Sequence, residues 1–215
     1  MNDRRPYRRE SEERRRDDLI AAALQLVAEG GAQAATVRAI AEVAGVTPGL
    51  IRHYFQTKED LTRAAYQRLM EQMTHDSAEV LITAPRDPVT RLAGFVVASV
   101  SPPVLDPVSV GLWAGFLHNV RRDPAMREVH RTTYLGFRDM LQGLIAALPR
   151  SRTPAQLRRD AIACNAVIDG LWLEGSVLPE AFGDGEIASI ALASVGLILN
   201  IEFPAPHGAN ARTDL

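Results

Sequence analysis

Between Thr36 and Leu61 the chain reads T-V-R-A-I-A-E-V-A-G-V-T-P-G-L-I-R-H-Y-F-Q-T-K-E-D-L, and this stretch restricts the fold more than any other. Thr36 can cap a helix whose apolar residues Val37, Ile40, Ala41 and Ala44 recur at helical spacing, and Gly45 can supply the positive φ that ends it. A second start follows at once. The Thr47 hydroxyl is offered to free amides, and Pro48 takes the first helical position, where a missing N–H costs nothing. Thr57-Lys58-Glu59-Asp60 then opens a third helix with a capping-box-like pattern. Two short helices joined by a tight turn containing glycine form a helix-turn-helix.

At about 100° per residue, Leu50, Ile51 and Tyr54 point to one side of the second short helix. Pro48, Gly49, Arg52 and His53 point to the other. The outward face is small at its N-terminal end, which lets the backbone approach a DNA groove while Arg52 reaches for a base edge or a phosphate. Lys58 stands at a helix N-terminus, a position that already attracts anions. A tight αα-turn in a scaffold that binds no nucleic acid is the alternative these spacings alone leave open.

The segment resembles the DNA-binding signature of the tetracycline-repressor (TetR) family of bacterial regulators. Ala44-Gly45-Val46-Thr47, Gly49, Tyr54-Phe55 and Lys58 carry the match. The resemblance implies a three-helix DNA-binding domain followed by a helical domain that binds a small effector and dimerises through the last two helices. It also implies that Thr36 and Lys58 contact phosphates of a double-stranded operator and that His53 and Tyr54 add backbone contacts. Thr47, Pro48, Gly49 and Arg52 then lie nearest the base edges. Family members often carry tyrosine or a small residue where this chain has Arg52, so their operators do not transfer.

Charge supports this reading weakly. The net charge is −2, but residues 1–70 hold 12 basic and 10 acidic residues, and the excess turns negative beyond them. So small an excess disfavours an architectural protein that grips any DNA through many phosphates. A helical enzyme is the other alternative, but no zinc-protease, nucleophile-elbow, P-loop or dinucleotide motif is present. The five histidines lack ligand spacing and Cys164 is the only cysteine, so we expect no metal, no cofactor and an inert thiol. The longest nearly apolar stretch, residues 187–201, is short of the roughly 20 residues that span a bilayer, and a cytoplasmic protein follows.

Along the chain, residues 1–16 hold seven arginines, four acids and almost nothing apolar, which reads as a flexible basic arm. A first helix from about Ser11 to Glu29 completes the helix-turn-helix domain, taken as 17–62. Asp87-Pro88, Asp106-Pro107, Asp123-Pro124 and Thr153-Pro154 each set a capping side chain before a proline, predicting four helix starts within a helical domain over 63–203. A last helix near Asp184 or Gly185 brings the total to about nine in an all-α fold, and the tail 204–215 reads as disordered.

The last helix is apolar around much of its circumference, so something must cover it. Two stretches, Leu112 to Phe116 and Ile168 to Glu174, resemble the choline-responsive repressors of the betaine pathway within the family. Tryptophan faces near a carboxylate suit a cationic or quaternary-ammonium ligand. Trp113, Phe116, Tyr134, Asp169 and Trp172 are the candidate effector residues, against a reading of both tryptophans as plain core.

Overall fold

Each proline-led start is where a helix begins. The computed structural model describes residues 5–203, with side-chain surroundings from residue 12 onward. Among them run α1 (Arg5–Gly30), α2 (Val37–Val43), α3 (Pro48–Tyr54), α4 (Lys58–Thr83), α5 (Pro88–Ser99), α6 (Pro107–Val120), α7 (Pro124–Ala146), α8 (Pro154–Val177) and α9 (Glu186–Leu199), with one 3-10 turn, Pro179–Ala181. The fold is all-α. The Asp87 carboxylate accepts from the Thr90 amide at 2.8 Å, and Asp123 accepts from the Ala125 amide at 2.8 Å. Thr153 and Gln156 close a reciprocal capping box at the start of α8. These caps satisfy amides that have no partner inside their helices.

The N-terminal arm is corrected in part. Residues 5–16 belong to α1, so the helix starts six residues before the expected Ser11, while residues 1–4 and the expected tail 204–215 lie outside the described residues. The apolar stripe that located the helix starts only at Leu19, and residues 12–18 before it include no buried side chain to signal a helix.

The chain separates into two compact units that cut across the boundary expected near residue 62. One comprises residues 1–73 and 107–135, the other 74–106 and 136–215. The side chains explain why α6 and the first part of α7 group with the helix-turn-helix. Tyr66 on α4 packs its ring 5.1 Å from Phe116 on α6, and Arg63 donates to Asp123, just before α7, at 3.1 Å.

In the first unit, Leu19, Ile20 and Ala23 of α1 share one apolar cluster with Ile40 and Ala41 of α2, Ile51 of α3, and Leu61 and Ala65 of α4. In the second unit, α8 packs against α9, and α5 also contacts α9. Phe137 sits between two aromatic neighbours there, 5.3 Å from Phe95 and 6.0 Å from Trp172. Arg150, on the loop before α8, donates to the Leu199 carbonyl at the end of α9 and pairs with Asp160 at 3.3 Å. One guanidinium thus serves an orphan carbonyl and a nearly buried carboxylate. No described helix is long and apolar enough to cross a membrane.

Candidate nucleic-acid interface

The helix-turn-helix forms as its local signals dictate. Thr36 has extended backbone angles and accepts from the Ala39 amide at 3.1 Å, capping α2. Gly45 turns the chain with φ +63°, a conformation in which a Cβ is strained. Thr47 holds N-cap geometry before Pro48, but its hydroxyl makes no capping hydrogen bond, which corrects the expected side-chain cap; the Leu50 amide bonds the Thr47 carbonyl instead, at 3.0 Å.

At α4 the capping box is reciprocal. The Thr57 amide donates to Asp60 at 2.9 Å and the Asp60 amide donates to Thr57 at 3.0 Å. The Thr57 hydroxyl also donates to the Asp60 carboxylate at 2.8 Å, which holds that carboxyl below its ordinary range. Lys58 therefore begins α4 in a fixed place, half-buried, on the wall of a cavity of about 310 Å³ that Thr62, Asn119 and Arg122 also line.

Burial divides the segment as the helical wheel predicts. Ile40, Ala41, Ile51 and Phe55 are buried, whereas Thr36, Thr47, Pro48, Gly49, Arg52 and His53 are exposed. Tyr54 is half-buried, its ring edge-on to His53 at 5.1 Å. The outward residues thus share one polar surface beside a Gly49 without a side chain. The chemistry of these residues is that of two hydroxyls, an imidazole and a guanidinium, which suits phosphates and base edges.

The expected effector residues do not all fall in one unit. Trp113, Phe116 and Tyr134 belong to the first and Asp169 and Trp172 to the second. Trp113 and Phe116 are buried, and Tyr134 stacks on His130 at 5.0 Å. Trp172 is buried, and its indole N–H donates to the Ser99 carbonyl at 2.5 Å. Asp169 accepts from the Asn165 amide group at 2.9 Å.

One pair escaped the sequence because its members lie 64 residues apart. The Tyr66 hydroxyl and His130 Nδ1 are 2.6 Å apart. Burial raises the tyrosine far above its usual range and lowers the histidine, so the pair favours a neutral phenol and a neutral imidazole. A histidine whose folded-state pKa is depressed binds its proton more readily when unfolded. Its contribution is therefore complete above the ordinary value of 6.5 and diminishes as pH falls below it. Urea midpoints measured from about pH 7.5 to about pH 5 should fall more steeply for the wild type than for His130→Gln; parallel curves would contradict this.

Cys164 is buried and its thiol is pushed up to about 12, chiefly by that burial. Among the described residues no group of three His, Cys, Asp or Glu side chains is arranged to hold a metal ion.

Known proteins share both halves of the chain. The family model described as bacterial regulatory proteins, tetR family, matches residues 19–65, and the one described as BetI-type transcriptional repressor, C-terminal, matches residues 88–200. The HTH-type transcriptional regulator BetI of Paraburkholderia phymatum is 29% identical over 190 residues, covering 86% of this chain and 93% of that protein. Its counterpart from Burkholderia thailandensis is 27% identical over 185 residues, with the same coverage. A crystal structure of a candidate transcriptional regulator from Pseudomonas aeruginosa PAO1 superposes with a TM-score of 0.79 at 31% identity, covering 87% of this chain and 91% of that one. A helix-turn-helix with this exposed face and a C-terminal half of the BetI type make one assignment: the chain belongs to the TetR family and is a DNA-binding transcriptional regulator, not an enzyme.

Proposed function

We propose that the protein is a repressor that binds a palindromic operator as a homodimer and leaves it when a small cationic effector binds. One observation carries the DNA half of this reading: Thr36, Thr47, Pro48, Gly49, Arg52 and His53 are exposed together while their neighbours Ile40, Ala41, Ile51 and Phe55 form core. Pro48 and Gly49 keep the start of α3 slim, so α3 can enter a major groove. Arg52 is then a base reader that favours guanine, and Lys58, with Thr36, His53 and Tyr54, is a phosphate contact.

Two substitutions separate these roles. Arg52→Ala should cost about 1–3 kcal/mol of discrimination at one position per half-site and leave other positions unchanged. Lys58→Ala should weaken all sequences alike and flatten the slope of log K against log salt by about one unit per protomer. Selection on a randomised half-site library, followed by salt titrations, reads both effects. Equal effects from the two substitutions would sink the division.

The dimer reading rests on two exposed stripes in the second unit. Along α8, Ala166, Gly170, Leu173 and Val177 are exposed at helical spacing; along α9, Glu186, Ile190, Ala193 and Leu197 are. Leu173, Val177 and Leu197 are 52%, 66% and 83% exposed, large apolar side chains that a regulator working as a monomer would have no reason to leave uncovered. A second copy related by a two-fold axis would pair these stripes as a four-helix interface. It would also set two α3 helices against half-sites about 34–36 Å apart, or a multiple of that.

The effector reading rests on the BetI-type C-terminal half and on the resemblance to choline-responsive repressors. Trp113, Phe116, Tyr134, Asp169 and Trp172 are its candidate contacts. Titration calorimetry with choline, betaine aldehyde and polyamines tests it, and binding of none would refute the cationic class. For release, the effector need only prefer the conformation whose α3 helices no longer match the operator, and α4, unbroken from Lys58 to Thr83, connects the units that must respond.

A further inference from the structure

From the charge order and exposed shape of α8 and α9 we infer how two copies of the chain recognise each other. Their α8 helices pack antiparallel, with Arg159 against Glu174 of the partner subunit and Leu197 seated in the partner's apolar crevice at the end of α8. This register rests on the dimer reading of the two exposed stripes.

Charge is segregated along this part of the chain. Residues 150–159 hold four arginines and no acid, whereas residues 160–203 hold seven acids and no lysine or arginine. Arg150 and Arg152 are taken up by Asp160, at 3.3 and 3.6 Å. Arg159 and Glu174 are exposed, and among the described residues neither pairs with a charge of its own chain. A parallel pairing of two α8 helices would set arginines against arginines and acids against acids. Antiparallel pairing sets each end against its opposite. Arg159 lies seven residues before Ala166 and Glu174 eight after it. At about 1.5 Å per residue both stand roughly 10–12 Å from Ala166 along the helix, so a two-fold axis through Ala166 brings Arg159 level with Glu174 of the partner subunit, twice.

The apolar shape agrees with the same axis. Within one chain α9 runs antiparallel to α8. Arg150, before α8, donates to the Leu199 carbonyl at the end of α9, and a Cβ at Gly175, near the end of α8, would meet Ile187 Cδ1 at the start of α9 at 2.7 Å. Leu197 therefore stands beside the start of its own α8, and the two-fold carries it to the end of the other. There α8 and the 3-10 turn form an apolar crevice of about 460 Å³, lined by Leu173, Val177, Leu178 and Phe182. Leu173 and Val177 belong to the exposed stripe, so the crevice opens on the surface that the axis covers. A leucine 83% exposed in one chain thus meets an apolar crevice in the other.

The test uses the full chain and two charge reversals, Arg159→Glu and Glu174→Arg. Each sets like charges opposite one another twice in a homodimer and should raise the dimer Kd about 10–100-fold in sedimentation velocity at low salt. An equimolar mixture of the two variants should instead dimerise with near wild-type affinity, because each mixed dimer regains two opposite-charge pairs. The variant that carries both reversals should do so on its own. Both side chains are exposed, so circular dichroism should show wild-type helix content throughout. A wild-type dimer whose Kd neither reversal raises, or reversals that weaken it without rescuing each other, overturn the register and leave the dimer reading standing. A wild-type chain that stays monomeric at every concentration overturns both.

Discussion

Leu197→Glu is expected to turn the dimer into a monomer and to weaken operator binding by about 10²–10⁴-fold. The residue is 83% exposed on the outer stripe of α9, so a single chain gains almost nothing from its burial and should fold normally without it. In a two-fold interface the substitution enters twice, and both carboxylates must then be desolvated among apolar neighbours. With the dimer gone, each helix-turn-helix binds its half-site alone, and the effective concentration that one engaged half-site confers on the other disappears. Sedimentation velocity should show one species of 23.5 kDa, and circular dichroism should show unchanged helix content. A dimer of undiminished affinity would place the interface elsewhere. Ala166 and Gly170 on the facing stripe of α8 are small enough to admit close helix approach, so Gly170→Glu should behave alike.

Much of this architecture is legible in the sequence because its signals are local. A threonine or aspartate before a proline specifies a helix start whatever the rest of the chain does, and the α5, α7 and α8 starts use the cap that the spacing predicts. Gly45 works the same way, since only its own backbone angle matters. The helical wheel of α3 could be read because burying Ile51 and exposing Arg52 follows from period alone. The start of α1 was not legible for the converse reason. Its first turns have no apolar stripe, and arginines mixed with acids look the same in a coil as in a helix held by pairs four residues apart.

Contacts across the sequence were hidden as well. Nothing near Tyr66 indicates that its hydroxyl meets His130, and nothing near Arg16 indicates that it covers Phe55. The Thr47 hydroxyl is a finer case. Its residue type and position suggest a cap, yet a backbone bond replaces it and the hydroxyl stays on the exposed face, where phosphates or bases can use it. The effector candidates show the limit of spacing. Residue types suited to a cation occur in both α6 and α8, but one-dimensional order does not reveal that they divide between two compact units.

Trp172 brings this limit to a measurement. Its indole is buried, lies against Phe137 and donates to the carbonyl of Ser99, the last residue of α5. A helix C-terminus leaves such carbonyls without partners, so the indole acts as a cap from another helix. Trp172→Ala should therefore cost about 3–5 kcal/mol through the lost burial and the cavity left behind. Trp172→Phe keeps an aromatic ring but removes the donor, and the stranded Ser99 carbonyl should cost about 1–3 kcal/mol. Urea titrations give both values. Calorimetry with choline on the folded Phe variant then separates the two roles open to this tryptophan. If the variant is destabilised yet binds a cation as tightly as the wild type, Trp172 is an anchor between α5 and α8 and the effector site lies elsewhere. If it keeps its stability and loses the ligand, the ring serves the effector, because cation–π attraction weakens from indole to phenyl while packing is nearly conserved.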